Sequence, residues 1–387
     1  MSFFSPAMRR DPYPLYDQLR RDSPLHHVEP TDLWLVLDHA GAKRALADHE
    51  AFGSAVAPGS SVEHWLIFSD PPRHARLRAL IMRAFTARAV AALEPRIREL
   101  SRALLDRVVA RGELELVADY ALPLPLMVIA EMLGAPTDDY DRLRRWSDVM
   151  LGLSLTLTGG DAAQQAQSAY AAVTDEMRAY VEVLLAERRA VPRDDLLTGL
   201  QAAEIAGERL SLAEILGFFQ LLLVAGHETT TNLLGNAVLA FIDHPDQREL
   251  LLHRRELLAP AIEEVLRHRS PVQAVFRVTR RAVALHGRTI PAGKQVLPML
   301  GAANRDPAVF TAPGRFDITR DPNPHLAFGH GGHFCIGAPL SRLEARIALP
   351  DLLLRLPNLR LAHDEPWPPR QALHVHGPER LRLRFDP

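Results

Sequence analysis

The chain has 387 residues, of which 47% are hydrophobic and 24% are charged, and this composition is that of an ordinary soluble globular protein. Its 45 Lys and Arg residues nearly balance 47 Asp and Glu residues, which excludes a dominantly basic, nucleic-acid-binding surface. One cysteine cannot form an internal disulfide, and no apolar signal sequence precedes the first prolines. We therefore expect a cytoplasmic protein with no nucleic-acid partner.

The chain shows neither a membrane anchor nor a linker. Its most apolar run, residues 215–225, is interrupted by Gln220 and is shorter than the ~20 residues of a membrane span. The prolines are spread along the sequence and no repeat period is visible. The sequence predicts one continuous domain over residues 1–387.

The hydrophobic spacing predicts a mainly α-helical fold with small antiparallel β-sheets. An initial helix over residues 13–21 and a strand over 33–37 precede a long helical region, and short alternating stretches with Gly and Pro turns follow it. The predicted later helices cover residues 74–85, 90–110, 125–133, 138–153, 163–189 and 211–243, and the predicted later strands cover residues 275–278, 283–286 and 295–298.

The helix over residues 211–243 is the longest, at roughly 50 Å for a rise of 1.5 Å per residue. Ser211 and Glu214 form a capping box at its start, and His244 with Pro245 ends it. Because its first part is apolar on nearly all faces, we expect a buried central helix.

A polar cluster interrupts this apolar helix. Burying Glu228 and Thr229 costs free energy unless the two side chains are satisfied or used. Ala225 and Gly226 lie one turn earlier and predict a small gap beside the Thr229 hydroxyl, wide enough for a diatomic ligand. The alternative is a hydroxyl that bonds the carbonyl of the preceding turn.

The single cysteine, Cys335, lies in the segment FGHGGHFCIG, residues 328–337. Glycines allow the backbone to approach a flat group closely. A helical pattern resumes at Ala338 with Pro339 in its first turn, so helix dipoles stabilise a thiolate just before it. Such a thiolate can ligate iron, whereas an isolated buried cysteine would be inert.

This segment resembles the haem-ligand signature F-G-x-G-x-H-x-C-x-G of the cytochrome P450 family. The resemblance extends over nearly the whole chain. It implies a single-domain cytochrome P450 fold whose long central helix crosses the haem, with Cys335 as the axial ligand of the iron of haem b. The matching positions are Phe328, Gly329, Gly331, His333, Cys335 and Gly337.

The resemblance also assigns roles to other residues. Glu228 and Thr229 are implied to deliver protons to the oxygen that the haem activates. Two pairs of cationic side chains are implied to meet the haem propionates, namely His74 with Arg78, which share a helix face, and Arg277 with His333.

A further implied feature supports the cysteine loop. Glu264 and Arg267 lie three residues apart on one helix face, and the resemblance implies that Arg315 in the segment PGRF locks this pair. Pro350 falls inside the helix after the cysteine loop and is expected to kink it.

The function implied is that of a haem-thiolate monooxygenase, which inserts one atom of O2 into a hydrophobic small molecule by hydroxylation or epoxidation. No flavin or iron–sulfur module is visible, so a ferredoxin and an NAD(P)H-dependent ferredoxin reductase are expected to supply electrons. The expected docking arginines are Arg73, Arg76, Arg342 and Arg346, and the expected pocket walls are Leu221, Ala225, Ala274 and residues 65–68.

Three other functions remain open at this level. A haem-thiolate peroxygenase or a rearrangement enzyme would share the fold, and a haem-based sensor or carrier would need no proton relay. A hydrolase that uses Cys335 with a histidine is an alternative of a different class.

Overall fold

The computed structural model describes residues 5–57, 59–153, 160–363, 365–372 and 374–386. These residues form two compact units. The first unit comprises residues 1–54, 98–123 and 229–387, and the second comprises residues 55–97 and 124–228. The single domain expected from the sequence therefore stays a prediction.

Helices dominate the described residues, and nearly every helix expected from the hydrophobic spacing is present. They are α1 Pro6–Arg10, α2 Tyr13–Asp22, α3 His39–Ala47, α4 Arg73–Ala84, α5 Ala87–Ala92, α6 Glu94–Asp106, α7 Pro123–Leu133, α8 Tyr140–Leu151, α9 Gly160–Ala190, α10 Leu196–Ala202, α11 Leu212–Asp243, α12 Pro245–His253, α13 Leu258–His268, α14 Leu300–Ala303 and α15 Ala338–Arg355.

One predicted helix is divided in two. The pattern over residues 90–110 suggested continuity, but α5 ends at Ala92 and α6 begins at Glu94. Thr86 caps α5 by accepting a hydrogen bond from the Ala89 amide at 3.1 Å. Pro95, which has no amide hydrogen to donate, fits only the first turn of a new helix.

The strands are short. They are β1 Leu25–Val28, β2 Leu33–Val36, β3 Phe52–Gly53, β4 Glu113–Glu115, β5 Glu204–Ile205, β6 Glu208–Arg209, β7 Arg277–Thr279, β8 Val283–Leu285, β9 Arg288–Ile290, β10 Gln295–Pro298, β11 Arg360–Leu361 and β12 Arg382–Arg384.

The first unit holds the larger sheets. Its five-stranded sheet has the order β1-β2-β10-β7-β3, a second sheet has the order β11-β12-β4, and β8 pairs with β9. Strands β10 and β2 pair in parallel with Val296 opposite Trp34, unlike the expected all-antiparallel arrangement. This is possible because the long chain between them allows a crossover. The second unit holds the β5–β6 hairpin. The mainly α class with small sheets is confirmed.

Helix α11 begins with the predicted capping box. The Glu214 amide donates to Ser211 Oγ at 3.2 Å, and the Ser211 amide donates to Glu214 Oε2 at 2.9 Å. Among the described residues, α11 is the one helix with the length and hydropathy of a membrane span, and 61% of its apolar window is buried. This burial is typical of the core helix of a globular protein.

Helix α15 continues through Pro350 to Arg355. It contributes ten buried residues, among them Leu343, Glu344 and Ile347. The kink expected at Pro350 stays a prediction.

Candidate haem-thiolate site

The loop that carries Cys335 is turned by glycines. Gly329 has φ +74° and Gly331 has φ +72°, a left-handed conformation that only glycine adopts without strain. A Cβ added at Gly331 would also lie 3.0 Å from the Ala47 Cα. The Cys335 amide donates to the Phe328 carbonyl at 2.9 Å, which closes the loop. Cys335 is half-buried and lies just before α15, as the sequence predicted.

Glu264 and Arg267 form a fully buried ion pair on α13, and both side chains are 0% exposed. Arg267 donates to both carboxylate oxygens, at 2.7 and 2.8 Å. It also donates to the carbonyls of Asn304, Pro313 and Arg315, at 2.8 to 3.0 Å. All five N–H groups of a guanidinium are therefore used, and they hold the chain segment that leads to the cysteine loop.

The arginine that completes this network is Arg320, so the expectation that Arg315 locks the pair is wrong. The Arg320 Nε lies 3.2 Å from Glu264 Oε2, and its side chain is only 11% exposed. The Arg315 side chain is 68% exposed and contributes its backbone carbonyl instead. The sequence could not separate the two arginines, because both lie in turn-rich chain just before the loop.

Two asparagines extend the network, and the sequence reasoning did not find them. Asn323 donates to Glu264 Oε2 at 3.2 Å. Asn304 donates to Ser270 Oγ at 2.8 Å and accepts a hydrogen bond from the Leu326 amide at 2.7 Å. Leu326 lies two residues before Phe328, so the network reaches the start of the cysteine loop.

The polar cluster of α11 has two different environments. Glu228 is buried, whereas Thr229 is only half-buried and Ala225 is exposed in an otherwise largely buried helix. A Cβ added at Gly226 would lie 2.6 Å from Ile129 Cδ1. Gly226 therefore allows close packing against α7 and does not itself provide the predicted gap. Ala225, one turn before Thr229 in sequence, is the exposed position of this segment.

The predicted cations are divided between the two units. His74 is buried and Arg78 half-buried on one face of α4, in the second unit. In the first unit, Arg277 on β7 is 6% exposed, and His333 lies in the 3₁₀ turn Gly331–His333. Their contacts with propionates stay a prediction.

Two expectations about surfaces stay predictions, although the structure adds contacts to them. Ala274, expected in a pocket wall, is buried in a hydrophobic cluster with Tyr13 and Leu35. Of the four arginines expected to dock a partner, Arg76 pairs with Glu214 and Arg342 with Glu263. Part of the charge of these two arginines is thereby neutralised within the molecule.

These residues fit a haem-thiolate group. Cys335 is the only cysteine of the chain and is half-buried, on a backbone that glycines allow to lie close to a flat ring. Helix α15 starts immediately after it, and an amide dipole at that place stabilises a thiolate. Thiolate sulfur is an axial ligand of haem iron.

Comparison with known proteins agrees with this chemistry. The sequence model of the family described as Cytochrome P450 matches residues 154–380. The chain is 43% identical to cytochrome P450 monooxygenase PikC of Streptomyces venezuelae, over 91% of this chain and 85% of that protein. It is 40% identical to the vitamin D(3) 25-hydroxylase of Pseudonocardia autotrophica, over 99% and 96% of the two chains.

A solved structure shows the same fold. CYP109E1 from Bacillus megaterium, in complex with corticosterone, superposes with a TM-score of 0.89 at 37% identity, covering 98% of this chain and 99% of that one. The chain therefore belongs to the cytochrome P450 family. It is an oxidoreductase of the monooxygenase class that binds haem b and uses O2, an organic substrate and redox partners.

Proposed function

We propose that this protein is a haem-thiolate monooxygenase in which Cys335 is the axial ligand and the substrate is a hydrophobic small molecule. The observation that carries the proposal is the placement of the single cysteine. Cys335 lies in a glycine-turned loop, before a helix N-terminus, and the chain leading to it is held by the buried Glu264–Arg267 pair. The support for this loop is much greater than an inert thiol requires.

Different residues of this chain have different roles around the cofactor. Haem b, when bound, supplies the activation of O2, so that one oxygen atom enters the substrate and the other leaves as water. The cationic side chains that would hold its carboxylates are those of His74, Arg78, Arg277 and His333. Thr229 would orient the hydrogen bonds at the activated oxygen, and Glu228 would pass a proton inward.

We propose that residues 65–68 of the second unit form an apolar wall of the substrate pocket. The rings of Trp65 and Phe68 are stacked with centroids 6.1 Å apart. The indole Nε1 of Trp65 donates to Gln220 Oε1 at 3.1 Å, so its one polar atom is satisfied within the protein. We infer a steroid-like or similarly rigid lipid substrate, and the vitamin D(3) and corticosterone in the names of the two relatives support this choice.

Monooxygenases of this family take their electrons from redox partners. A ferredoxin and its NAD(P)H-dependent reductase are the proposed donors. A cytoplasmic location accords with such soluble donors.

Thr229→Ala should uncouple electron use from product formation. Without the hydroxyl, the delivery of protons to oxygen is no longer directed, and hydrogen peroxide is released in place of product. We expect NAD(P)H oxidation to stay near the wild-type rate while product per electron pair falls about tenfold or more, a smaller effect than the ~10²–10⁴-fold that a positioned proton donor typically contributes. The substrate comes from a steroid library screened for shifts of the haem absorption band. NAD(P)H, product and peroxide are then measured in one reconstituted reaction.

Two neighbouring variants serve as controls. Thr229→Ser keeps the hydroxyl and should retain most of the coupling. Thr231→Ala removes a hydroxyl that donates to the Ala121 carbonyl at 3.0 Å, which should cost about 1 kcal/mol of stability without changing coupling. Unchanged coupling in Thr229→Ala would remove Thr229 from the proton path.

A further inference from the structure

Arg342, on the first turns of α15, is held rigidly by Glu263 on α13. Its Nε and Nη2 donate to the two carboxylate oxygens of Glu263, both at 2.7 Å. This bidentate arrangement is the strongest and most directional form of an arginine–carboxylate pair. His325 Nε2 lies 3.0 Å from the same carboxylate, so Glu263 joins the helix to the chain before the cysteine loop.

The same guanidinium lies over the ring of Phe328. Its carbon is 4.4 Å from the ring centroid, within the range of a cation–π contact. His325 and Phe334 lie against the ring with centroids 6.3 Å away in each case. Because the Phe328 carbonyl accepts the hydrogen bond from the Cys335 amide, fixing Phe328 also fixes the backbone at the cysteine.

The cation of the pair is the member that lies beside the cysteine loop. Burial alone would raise the pKa of Glu263, but its hydrogen bonds to Arg342 and His325 lower it to about 2. The carboxylate is therefore charged at any working pH. The guanidinium of Arg342 lies over the ring of Phe328, whose carbonyl accepts the hydrogen bond from the Cys335 amide. Glu263 holds this guanidinium on both carboxylate oxygens and offsets its charge.

We propose that Arg342 is a positioning residue that fixes Phe328 beside the cysteine loop and sets the electrostatic potential at Cys335, with Glu263 determining how much of its charge is felt there. This inference rests on the proposed function, in which Cys335 ligates the haem. A cation near the ligand favours the reduced, more negative state of the centre, so the pair controls how easily the protein accepts its first electron.

The test is a set of reduction potentials measured by spectroelectrochemistry on haem-loaded protein. Arg342→Gln removes the cation and should shift the potential to a more negative value. Glu263→Gln leaves the charge of Arg342 over Phe328 uncompensated and should shift the reduction potential to a more positive value. Arg346→Gln, at an exposed position one turn further along α15, removes the same charge where solvent screens it and should leave the potential near that of the wild type.

Arg342→Lys separates charge from geometry, because lysine keeps the charge but lacks the planar fork. We expect a potential near the wild-type value together with a less stable ferrous carbon monoxide adduct. Opposite shifts in Arg342→Gln and Glu263→Gln would support the proposal. Suppose that the wild-type protein shows the thiolate-type carbon monoxide band. Equal reduction potentials in the two variants, or shifts in the same direction, would then overturn the proposal about Arg342 and Glu263. Absence of that band in the wild type would instead contradict the proposed function.

Discussion

Replacing Glu344 by glutamine should raise the free energy of unfolding at pH 7 by about 3 kcal/mol. The Glu344 side chain, on α15, is 0% exposed. Neither of its oxygens has a hydrogen-bond partner of normal geometry among the described residues. Burial raises the pKa of Glu344 to about 8, from 4.5, and the nearby Thr230 hydroxyl opposes this rise only in part. The folded protein therefore keeps a proton on Glu344 that the unfolded chain releases.

The direction of the pH dependence follows from this proton. Between about pH 4.5 and 8 the folded state binds more protons at this site than the unfolded state, so each pH unit of increase lowers stability by ~1.4 kcal/mol. The decrease in the free energy of unfolding begins above the pKa of Glu344 in the unfolded chain and ends near its pKa in the folded protein. Glutamine resembles the protonated carboxyl and does not titrate. The free energy of unfolding of Glu344→Gln should therefore lack this decrease with pH.

The measurement is urea unfolding of wild type and Glu344→Gln at several pH values from 5 to 8. The difference between the two proteins should be small near pH 5 and should grow with pH. An exposed residue, Glu249, provides the matched control, because Glu249→Gln should change stability by less than about 0.5 kcal/mol. The same slope in Glu344→Gln as in wild type would show that Glu344 is ionised in the folded protein.

Arg267→Ala should lower the free energy of unfolding by about 3–5 kcal/mol, because it leaves the fully buried Glu264 carboxylate without its main partner. Such a loss is a large part of the free energy of unfolding of a typical domain, which is about 5–15 kcal/mol. It also frees the carbonyls of Asn304, Pro313 and Arg315. Because those carbonyls lie in the chain leading to Cys335, the haem content of the purified protein should fall as well.

Arg315→Ala is the control for this prediction. The Arg315 side chain is 68% exposed, and the variant keeps the backbone carbonyl that accepts from Arg267. The stability and haem content of Arg315→Ala should therefore match those of the wild type. Urea unfolding and the ratio of haem to protein absorbance report both quantities. A fully stable, haem-loaded Arg267→Ala protein, or an equally damaged Arg315→Ala protein, would contradict the role of the network.

The sequence predicted the features that depend on local chemistry. The capping box of Ser211 and Glu214, the helix starting at Ala338, and the placement of Glu264 and Arg267 on one helix face follow from residue types at short spacing. That the Glu264–Arg267 pair supports the cysteine loop was implied only by the family resemblance. The cysteine loop was predictable because its glycines and thiol lie within ten residues.

Contacts between residues distant in the chain could not be predicted in the same way. The choice of Arg320 over Arg315 depends on how the turns before the loop fold back on α13. The packing of Gly226 against Ile129 and the burial of Ala274 among Tyr13 and Leu35 likewise depend on tertiary neighbours. The pair of Arg342 and Glu263 joins residues 79 positions apart, and the sequence indicated Arg342 only as a docking residue, without its partner.

The absorption spectrum of the reduced protein under carbon monoxide tests the central claim most directly. Haem-loaded wild-type protein should show the red-shifted Soret band that is characteristic of thiolate ligation. Cys335→His, which supplies a nitrogen ligand, should shift the band to the shorter wavelength of a histidine-ligated haem. A folded, haem-loaded wild type whose adduct lacks the thiolate band, or a Cys335→His variant that retains it, would contradict the assignment of Cys335 as the ligand.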